Sequence, residues 1–572
     1  MKIRIAFLMT GLLAAPLTAQ SGTVPELDRL NATTSELRDM LERYRSDRSA
    51  LLRRYDAAWS AERRERLHEL YGEWRARLRD MDYDRLGVEE RIDWVLLDNE
   101  LDYQLGLLGR EAGQLAEMTA LLPFASTITR FQESRRRREP VDPRAAADTL
   151  AALVRTIDAA RAGAGDVKVP RTVAFRAAGA VAELRGTLGR WYRFYEGYHP
   201  LFTWWSADPY AQVDAALEAY EQTIRRDLVG IRDGQDPIIG DPIGADGLRA
   251  DLAHEMIAYS PEELFAIAER EFAWCEAEMR RAARDMGFSD DWRAALEKVK
   301  TMFVPPGEQP EMVRDLAYEA IEFVESRGLV TVPALAKEIW RIEMLSPARQ
   351  RVSPFFLGGE VIQVSYPTHE MEHDEKLMSM RGNNPYFSRA TVHHELIPGH
   401  HLQGFMNERY NSHRGLFRTP FWVEGWALYW EMLLWDLEFP RTPEERVGML
   451  FWRSHRAARI LFSLGFHLGT MTPEEAIDLL VDRVGHERAN AEAEVRRSFL
   501  GTYSPLYQAA YMLGGLQIRA LRAELVDTGR MTDRAFHDAI LRGGAMPIEM
   551  VRVRLLGESV ERGHRASWRF AG

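Results

Sequence analysis

Residues 393–403 read HHELIPGHHLQ and place four histidines and one glutamate within nine residues. Imidazole and carboxylate groups together supply the ligands and the proton acceptor that a hydrolytic zinc site requires. In the usual helical motif the two histidines are four residues apart, so both lie on one face of the helix. His394 and His400 are six apart. This spacing is a rotation of roughly 600° on a straight helix, so a regular helix would separate them.

Pro398 and Gly399 lie between these two histidines. A proline inside a helix has no N–H to donate, and its ring clashes with the carbonyl four residues back, here that of His394. Glycine adds backbone freedom, and bulged turns are frequent at functional sites. The stretch therefore predicts an irregular turn that brings His394 and His400 to one metal ion.

Other histidines remain as alternatives to this pair. Two pairs are seven residues apart and share a helix face, but their Cα atoms would lie about 10 Å apart along the axis: His394 with His401, and His393 with His400. A literal His-Glu-x-x-His also occurs as HEMEH at residues 369–373, with charged residues inside it and directly after it. We interpret His369 and His373 as a polar segment near the edge of the cleft, and keep them as the rival metal site.

A further carboxylate lies in an apolar, aromatic segment that reads FWVEGWALYWE at residues 421–431. Burying Glu424 there is costly unless it is paired or bound to a cation, so it suits a third metal ligand. Gly425 would allow this helix to approach closely the helix that carries His394. Glu431, seven residues on, shares the face of Glu424 and is placed to orient a ligand histidine. The alternative is that both glutamates form buried salt bridges with arginines.

Three blocks of sequence resemble the bacterial family called domain of unknown function 885: HELIPGHHLQ at 394–403, EGWALY at 424–429, and QAAY at 508–511 with the later Gly514. The similarity runs through most of the mature chain. It implies a mostly α-helical, zincin-like metallopeptidase of the glutamate-ligand type. It also singles out Tyr511, with Gln508 one turn before it, as the group that stabilises the oxyanion of a tetrahedral intermediate. A core position for Tyr511 is the alternative.

The residues and the resemblance together predict a zinc-dependent hydrolase in which His394, His400 and Glu424 hold one Zn²⁺. Glu395 would take a proton from the attacking water and return it to the leaving amine. The expected substrates are short or unfolded peptides. Two alternatives remain: hydrolysis of another amide or ester, such as a cell-wall fragment, and a catalytically inactive, metal-stabilised binding protein.

The first residues of the chain predict a leader peptide. Lys2 and Arg4 precede an apolar run at 5–15, and Ala19 suits the cleavage site. The run is too short for a permanent membrane anchor, and the single cysteine, Cys275, is expected to be a small buried hydrophobe. We therefore expect a periplasmic or secreted protein without stable membrane insertion. The predicted division is a signal peptide at 1–19, an N-terminal helical region at 20–240, and a helical catalytic region at 241–572.

Charge and patterning constrain the rest of the chain. The net charge of −12 becomes −14 without the leader, which argues against nucleic acid as a partner; the sequence sets no oligomeric state. Apolar residues recur at helical spacing, and three segments, SPEE at 260–263, TPEE at 442–445 and TPEE at 472–475, carry a helix-start pattern. One strand is predicted at 355–366, and the family resemblance implies that it is an edge strand that binds the substrate backbone. The aromatic residues at 191–205 are expected to pack in the core.

Overall fold

The computed structural model of the chain describes residues 35–232, 234–350, 355–500 and 503–571. The predicted leader peptide at 1–19 lies outside these ranges. Within them the chain forms 23 α-helices and one two-stranded sheet, so the prediction of a mostly α-helical protein is confirmed. Among these helices, none combines the length and the apolar composition that a membrane crossing requires.

The first seven helices end before the loop that follows residue 228. They are α1 (Arg38–Arg54), α2 (Ala61–Arg79), α3 (Val88–Met118), α4 (Ala125–Arg136), α5 (Pro143–Gly163), α6 (Arg171–Tyr195) and α7 (Pro200–Thr223).

The next seven helices and both strands lead up to the motif. They are α8 (Gly244–His254), α9 (Pro261–Asp285), α10 (Trp292–Lys300), α11 (Gln309–Ser326), α12 (Ala334–Ile339), β1 (Arg341–Met344), α13 (Pro347–Gln350), β2 (Val361–Val364) and α14 (His373–Gly382). The two strands pair in parallel, with Arg341 opposite Val361.

The last nine helices carry the motif and the segments that surround it. They are α15 (Pro385–Glu395), α16 (His400–Asn407), α17 (Pro420–Asp436), α18 (Pro443–His467), α19 (Pro473–Leu479), α20 (Arg488–Leu500), α21 (Tyr507–Leu525), α22 (Asp533–Gly543) and α23 (Ile548–Leu556).

Two large hydrophobic cores hold these helices together, and a third, small core joins α11 and α15 to β2. The larger core combines residues of α1–α3 with residues from 248 onward, and the smaller one is built from residues 118–239. Helices α15, α17, α18 and α21, which surround the motif, all contribute to the larger core. The division of the chain at residue 240 remains a prediction.

Helix starts follow the predicted pattern. At Ser260, Thr442 and Thr472 the hydroxyl accepts the backbone N–H three residues on, and the glutamate at that position accepts the N–H of the capping residue in return. Each capping box satisfies two backbone donors that the helix itself leaves unpaired. The three predicted helix starts are therefore confirmed.

The aromatic segment at 191–205 divides between the core and the surface. Trp191 and Phe202 are buried in the smaller core, as expected. Phe194 is 48% exposed, so the core interpretation is wrong for this residue. It is also wrong for Trp204 and Trp205, which are 81% and 39% exposed. They lie on the same helix as Phe202 but on another face of it, which the local composition does not reveal.

A buried ion pair joins α3 to the segment before α17. The Arg414 Nε donates to Asp93 Oδ1 at 2.6 Å, and neither side chain is exposed. Arg414 also donates to the backbone carbonyl of Gly543, at the end of α22. Three distant parts of the chain therefore meet at one guanidinium.

We expect Asp93→Asn to lower the free energy of unfolding by about 3 kcal/mol, because breaking a buried pair leaves a poorly compensated charge in the core. Urea denaturation followed by circular dichroism measures this change. Asp98→Asn, on the same helix, is the matched control, since Asp98 pairs with the half-exposed Arg79 and should cost under about 1 kcal/mol. Equal losses from both variants would contradict the assigned importance of the buried pair.

Candidate functional site

The helix that carries the motif is interrupted between its two halves. Helix α15 ends at Glu395, four residues follow, and α16 begins at His400. A Cβ atom at Gly399 would overlap the backbone carbonyl of His394, so only glycine permits this close return of the chain. The predicted irregular turn is present, and it takes the form of a complete break between two helices.

This break brings three side chains to one point. His394 Nε2 and His400 Nε2 lie 3.5 and 3.1 Å from the same oxygen, Oε2 of Glu424. The two imidazole rings are 4.7 Å apart and perpendicular, and the three potential ligand atoms all lie within 4.8 Å of one another. The structure therefore brings together the three residues that the sequence predicts as metal ligands.

The geometry of this group fits a metal ion. Four-coordinate zinc binds nitrogen and oxygen ligands at about 2.0–2.2 Å, which places neighbouring ligand atoms roughly 3.3–3.6 Å apart. The two distances to Glu424 lie close to this range. Among the described residues, Oε2 of Glu424 has no hydrogen-bond partner although it is buried. Two imidazoles and one carboxylate form a donor set that suits zinc.

The electrostatics of the group favour a cation. Burial opposes a charge on His394, but Glu424 and Glu431 together raise its pKa to about 9. Burial would likewise raise the pKa of Glu424, yet His400 and His394 hold it well below its ordinary value. The carboxylates that attract a proton to this point would also attract a metal ion.

Glu431 lies behind His394, where the sequence predicts an orienting carboxylate. Its Oε1 is 2.7 Å from His394 Nδ1, and both side chains are buried. An Nδ1–H that donates to Glu431 leaves the lone pair of Nε2 directed at Glu424. Such a carboxylate–histidine pair fixes the ring and the tautomer of a metal ligand.

Glu395 lies beside the three ligands. Its Oε2 is 4.0 Å from His400 Nε2, and burial raises its pKa above the ordinary value. Gly358 lies directly against this residue, because a Cβ there would overlap the Glu395 carboxylate. The neighbouring Gly359 N–H donates to the backbone carbonyl of Glu395 at 3.2 Å. The loop before β2 therefore fixes the position of Glu395.

The predicted strand at 355–366 is mostly this loop. Only Val361–Val364 forms β2, which pairs with β1 on one side. Leu357 and Gln363 exchange hydrogen bonds, so the chain folds back on itself before the strand. The predicted length is wrong because the two glycines at 358 and 359 turn the chain across Glu395. Its role in binding substrate remains a prediction.

Two tyrosines of α21 complete the group. The Tyr511 ring stacks on that of His394, at 6.0 Å and 13°, and burial raises its pKa. The hydroxyl of Tyr507 donates to Glu424 Oε1. The sequence predicts Tyr511 as a site residue but not Tyr507, although Tyr507 is four residues before it and shares its helix face. Gln508 instead donates to Ser498.

Helix α21 reaches the ligands through a close contact with α17. A Cβ at Gly425 would lie 2.6 Å from the Cα of Gly514, so the two backbones touch. Gly425 therefore admits α21, and not α15 as the sequence analysis expects. The contact fixes Glu424 on α17 against the tyrosines of α21.

The rival histidines do not join the group. His401 Nε2 bonds to the backbone carbonyl of Ala336 at 2.7 Å. His393 is buried, its pKa lowered to about 3 by that burial. His369 and His373 are exposed, and α14 begins only at His373, so the two do not share a helix. Within the described ranges, His394, His400 and Glu424 form the cluster that could hold a metal ion.

The ligands lie in a cleft of about 720 Å³, here called the metal cleft. Residues 355–361 of the loop before β2 form one side of it, and α16, α18 and α21 contribute others. Glu494 lies behind it, bonded to Arg459. His467 is buried with its pKa lowered to about 4 by burial and by Arg110, and it does not line the cleft. Of these two residues, Glu494 alone contacts a side chain that lines the cleft.

The solved structures that share this fold include two bacterial proteins. One is described as a "putative lipoprotein of unknown function" from Shewanella oneidensis: it is 18% identical, the match covers 90% of this chain and 98% of that one, and the TM-score is 0.67. The other, a "putative lipoprotein" from Colwellia psychrerythraea, is 17% identical over 91% of this chain and 97% of its own, with a TM-score of 0.56. No curated protein matches the sequence.

A family model matches residues 46–555, which include the metal ligands, Glu395 and both tyrosines. It describes bacterial proteins of unknown function. The chain therefore belongs to the bacterial family DUF885.

Proposed function

We propose that this protein is a zinc-dependent hydrolase that cleaves peptide bonds in short or unfolded peptides. The observation that carries the proposal is the convergence of His394, His400 and Glu424 beside the carboxylate of Glu395, inside a cleft open to a substrate. A zinc ion held by these three residues would supply Lewis-acid activation of the substrate carbonyl and of the attacking water. A structural zinc site would need no neighbouring free carboxylate.

In this proposal, four residues of the chain have the remaining catalytic and positioning roles. Glu395 is the general base: it takes the proton of the attacking water and passes it to the leaving amine. Tyr511 faces the ligands from α21 and stabilises the oxyanion by donating a hydrogen bond. Tyr507 holds Glu424 through its other oxygen, and Glu431 holds His394. These two are positioning residues.

The protein is proposed to act outside the cytoplasm. The predicted leader peptide supports this location, and both similar structures are described as putative lipoproteins. Peptides that reach the periplasm or the medium would then be the available substrates.

Digestion of a diverse peptide mixture by the zinc-loaded protein, read by mass spectrometry, tests the proposal. Parallel samples are treated with a chelator, and one of these is then supplied with zinc again. Cleavage that disappears with the chelator and returns with zinc is the expected result. Bound zinc without cleavage in any sample would overturn the peptidase proposal and favour a specialised amide or a binding role.

Gly358→Ala should lower kcat at least about tenfold, because an added methyl group overlaps the Glu395 carboxylate and displaces the general base. Zinc content should not change, since the three atoms nearest to the added methyl group all belong to Glu395 and not to a candidate ligand. Gly415→Ala is the matched control, because nothing lies within 4 Å of a Cβ there. Wild-type kcat in the Gly358 variant would show that this contact does not set the position of Glu395.

A further inference from the structure

Three of the arginines that line the metal cleft form one group. Arg456 and Arg459 lie one turn apart on α18, and Arg497 lies on α20. We call them the arginine group. Arg456 and Arg459 are only 4% and 2% exposed. Burying a guanidinium is costly unless carboxylates and hydrogen bonds compensate it, so the partners of the group decide what it does.

The first partner is Glu494. It accepts hydrogen bonds or ion pairs from Arg459 and Arg497, each at 2.7 Å. His455 lies 3.5 Å from the same carboxylate, but burial holds the pKa of this histidine well below its ordinary value, so it adds no charge. One carboxylate therefore serves two guanidiniums.

The second partner is Glu431. Arg456 reaches it only at 3.4 Å, and the same oxygen is already bonded to His394 at 2.7 Å. Nε of Arg456 and Nη1 of Arg459 are buried and have no hydrogen-bond partner among the residues that the structure describes. Within the arginine group, three guanidiniums thus share two carboxylate partners, and two buried N–H groups are left to donate to another acceptor.

The arginine group lies close to the ligands. The guanidinium carbons of Arg456 and Arg459 are 4.8 and 4.2 Å from the centre of the Tyr511 ring. That ring is stacked on His394 at 6.0 Å. An extended peptide residue spans about 3.5 Å, so an anion bound by the two arginines would lie roughly one to three residues from a peptide bond at the metal ligands.

We propose, on the basis of the proposed function, that the arginine group binds a carboxylate of the substrate one to three residues from the cleaved bond. A carboxylate can accept hydrogen bonds from the unpaired N–H groups of Arg456 and Arg459, and guanidinium groups match its planar geometry. The carboxylate is either the C-terminus of the peptide or the side chain of an aspartate or glutamate. The enzyme is thereby selective for peptides that carry a negative charge at this distance.

Four synthetic peptides separate the two sources of the carboxylate. The first pair has one neutral sequence that ends in a free acid or in an amide. The second pair ends in an amide and carries glutamate or glutamine near the cleaved bond. We expect kcat/KM to be about 10- to 100-fold higher for the charged member of at least one pair, mainly through KM. The pair that responds identifies the source.

Variants then connect this preference to the arginine group. Arg456→Gln and Arg459→Gln should bring the ratio of kcat/KM between the charged and the neutral member of a pair toward one. Any effect of these variants on Glu431 or Tyr511 is common to both peptides and cancels in this ratio. Arg456→Lys keeps the charge and should retain part of the preference. Arg446→Gln is the matched control, since Arg446 lies on the same helix but pairs with Asp285 outside the cleft. Thermal unfolding checks that each variant is folded.

The outcomes separate this inference from the proposed function. Cleavage of both members of each pair at equal rates would overturn the carboxylate subsite and leave the peptidase intact. If no peptide is cleaved, calorimetry with zinc-loaded Glu395→Gln protein measures binding of the same pairs. Preferential binding of the charged peptides that Arg456→Gln abolishes would support the subsite without hydrolysis, and equal binding would overturn it.

Discussion

Glu395→Gln is expected to lower kcat for peptide hydrolysis by about 10³-fold, because general base catalysis contributes roughly 10² to 10⁴ to such reactions. Glutamine has the shape of glutamate but cannot take a proton from water. The variant should bind zinc as tightly as the wild type, since Glu395 is not among the three converging ligand atoms. Elemental analysis of the dialysed protein and initial rates on one cleaved peptide measure the two quantities.

Glu322→Gln is the control for this variant, because Glu322 is an exposed carboxylate on α11, away from the metal cleft. Its rate should equal that of the wild type. A Glu395→Gln protein with full activity would remove Glu395 from the mechanism. A variant that loses zinc as well would make Glu395 a ligand, which the distances in the structure do not favour.

His400→Ala should weaken zinc binding by at least about 100-fold, since removing a hydrogen-bond partner of a ligand already costs 10- to 100-fold and His400 would be a ligand itself. Peptide hydrolysis should disappear with the metal. Competition with a chelator of known affinity measures the binding constant, and the hydrolysis rate is followed at saturating zinc.

The matched variant is His401→Ala, one residue on. His401 bonds to the carbonyl of Ala336 and is not one of the three residues whose ligand atoms converge, so this variant should keep its zinc affinity. It should lose about 1–3 kcal/mol of stability, because a buried carbonyl is left without a partner. The opposite result, zinc lost from His401→Ala and kept by His400→Ala, would select the alternative pair that the sequence leaves open.

The metal ligands could be predicted because their chemistry is local. His394, His400 and the break at Pro398 lie within a few residues, and Glu424 stands out as a charge in an apolar helix. Capping boxes are equally local, and all three were predictable from four residues each. Which face of each helix packs against the core was harder to predict from the sequence, since the exposed Trp204 lies two residues from the buried Phe202.

The rest of the site depends on contacts between distant residues. Tyr507 contacts Glu424, although 83 residues of sequence separate them. The proposed role of the arginine group depends on its contacts with Glu431 and Glu494. Neither set of contacts leaves a periodic pattern in the sequence from which it could be predicted. The predicted length of the strand before the motif is too great because alternating apolar residues favour a strand. The turn at Gly358 that shortens it depends on packing against Glu395.

The contact between Gly425 and Gly514 joins two helices that are synthesised at different times. A ribosome makes the chain from its N-terminus, so His394, His400 and Glu424 emerge long before α21. The tyrosines that complete the proposed catalytic group arrive only with residues 507–511, after nearly nine-tenths of the chain has been made. A growing chain therefore contains the candidate metal ligands but not the finished site, and the proposed hydrolytic activity would appear only after the last helices have docked.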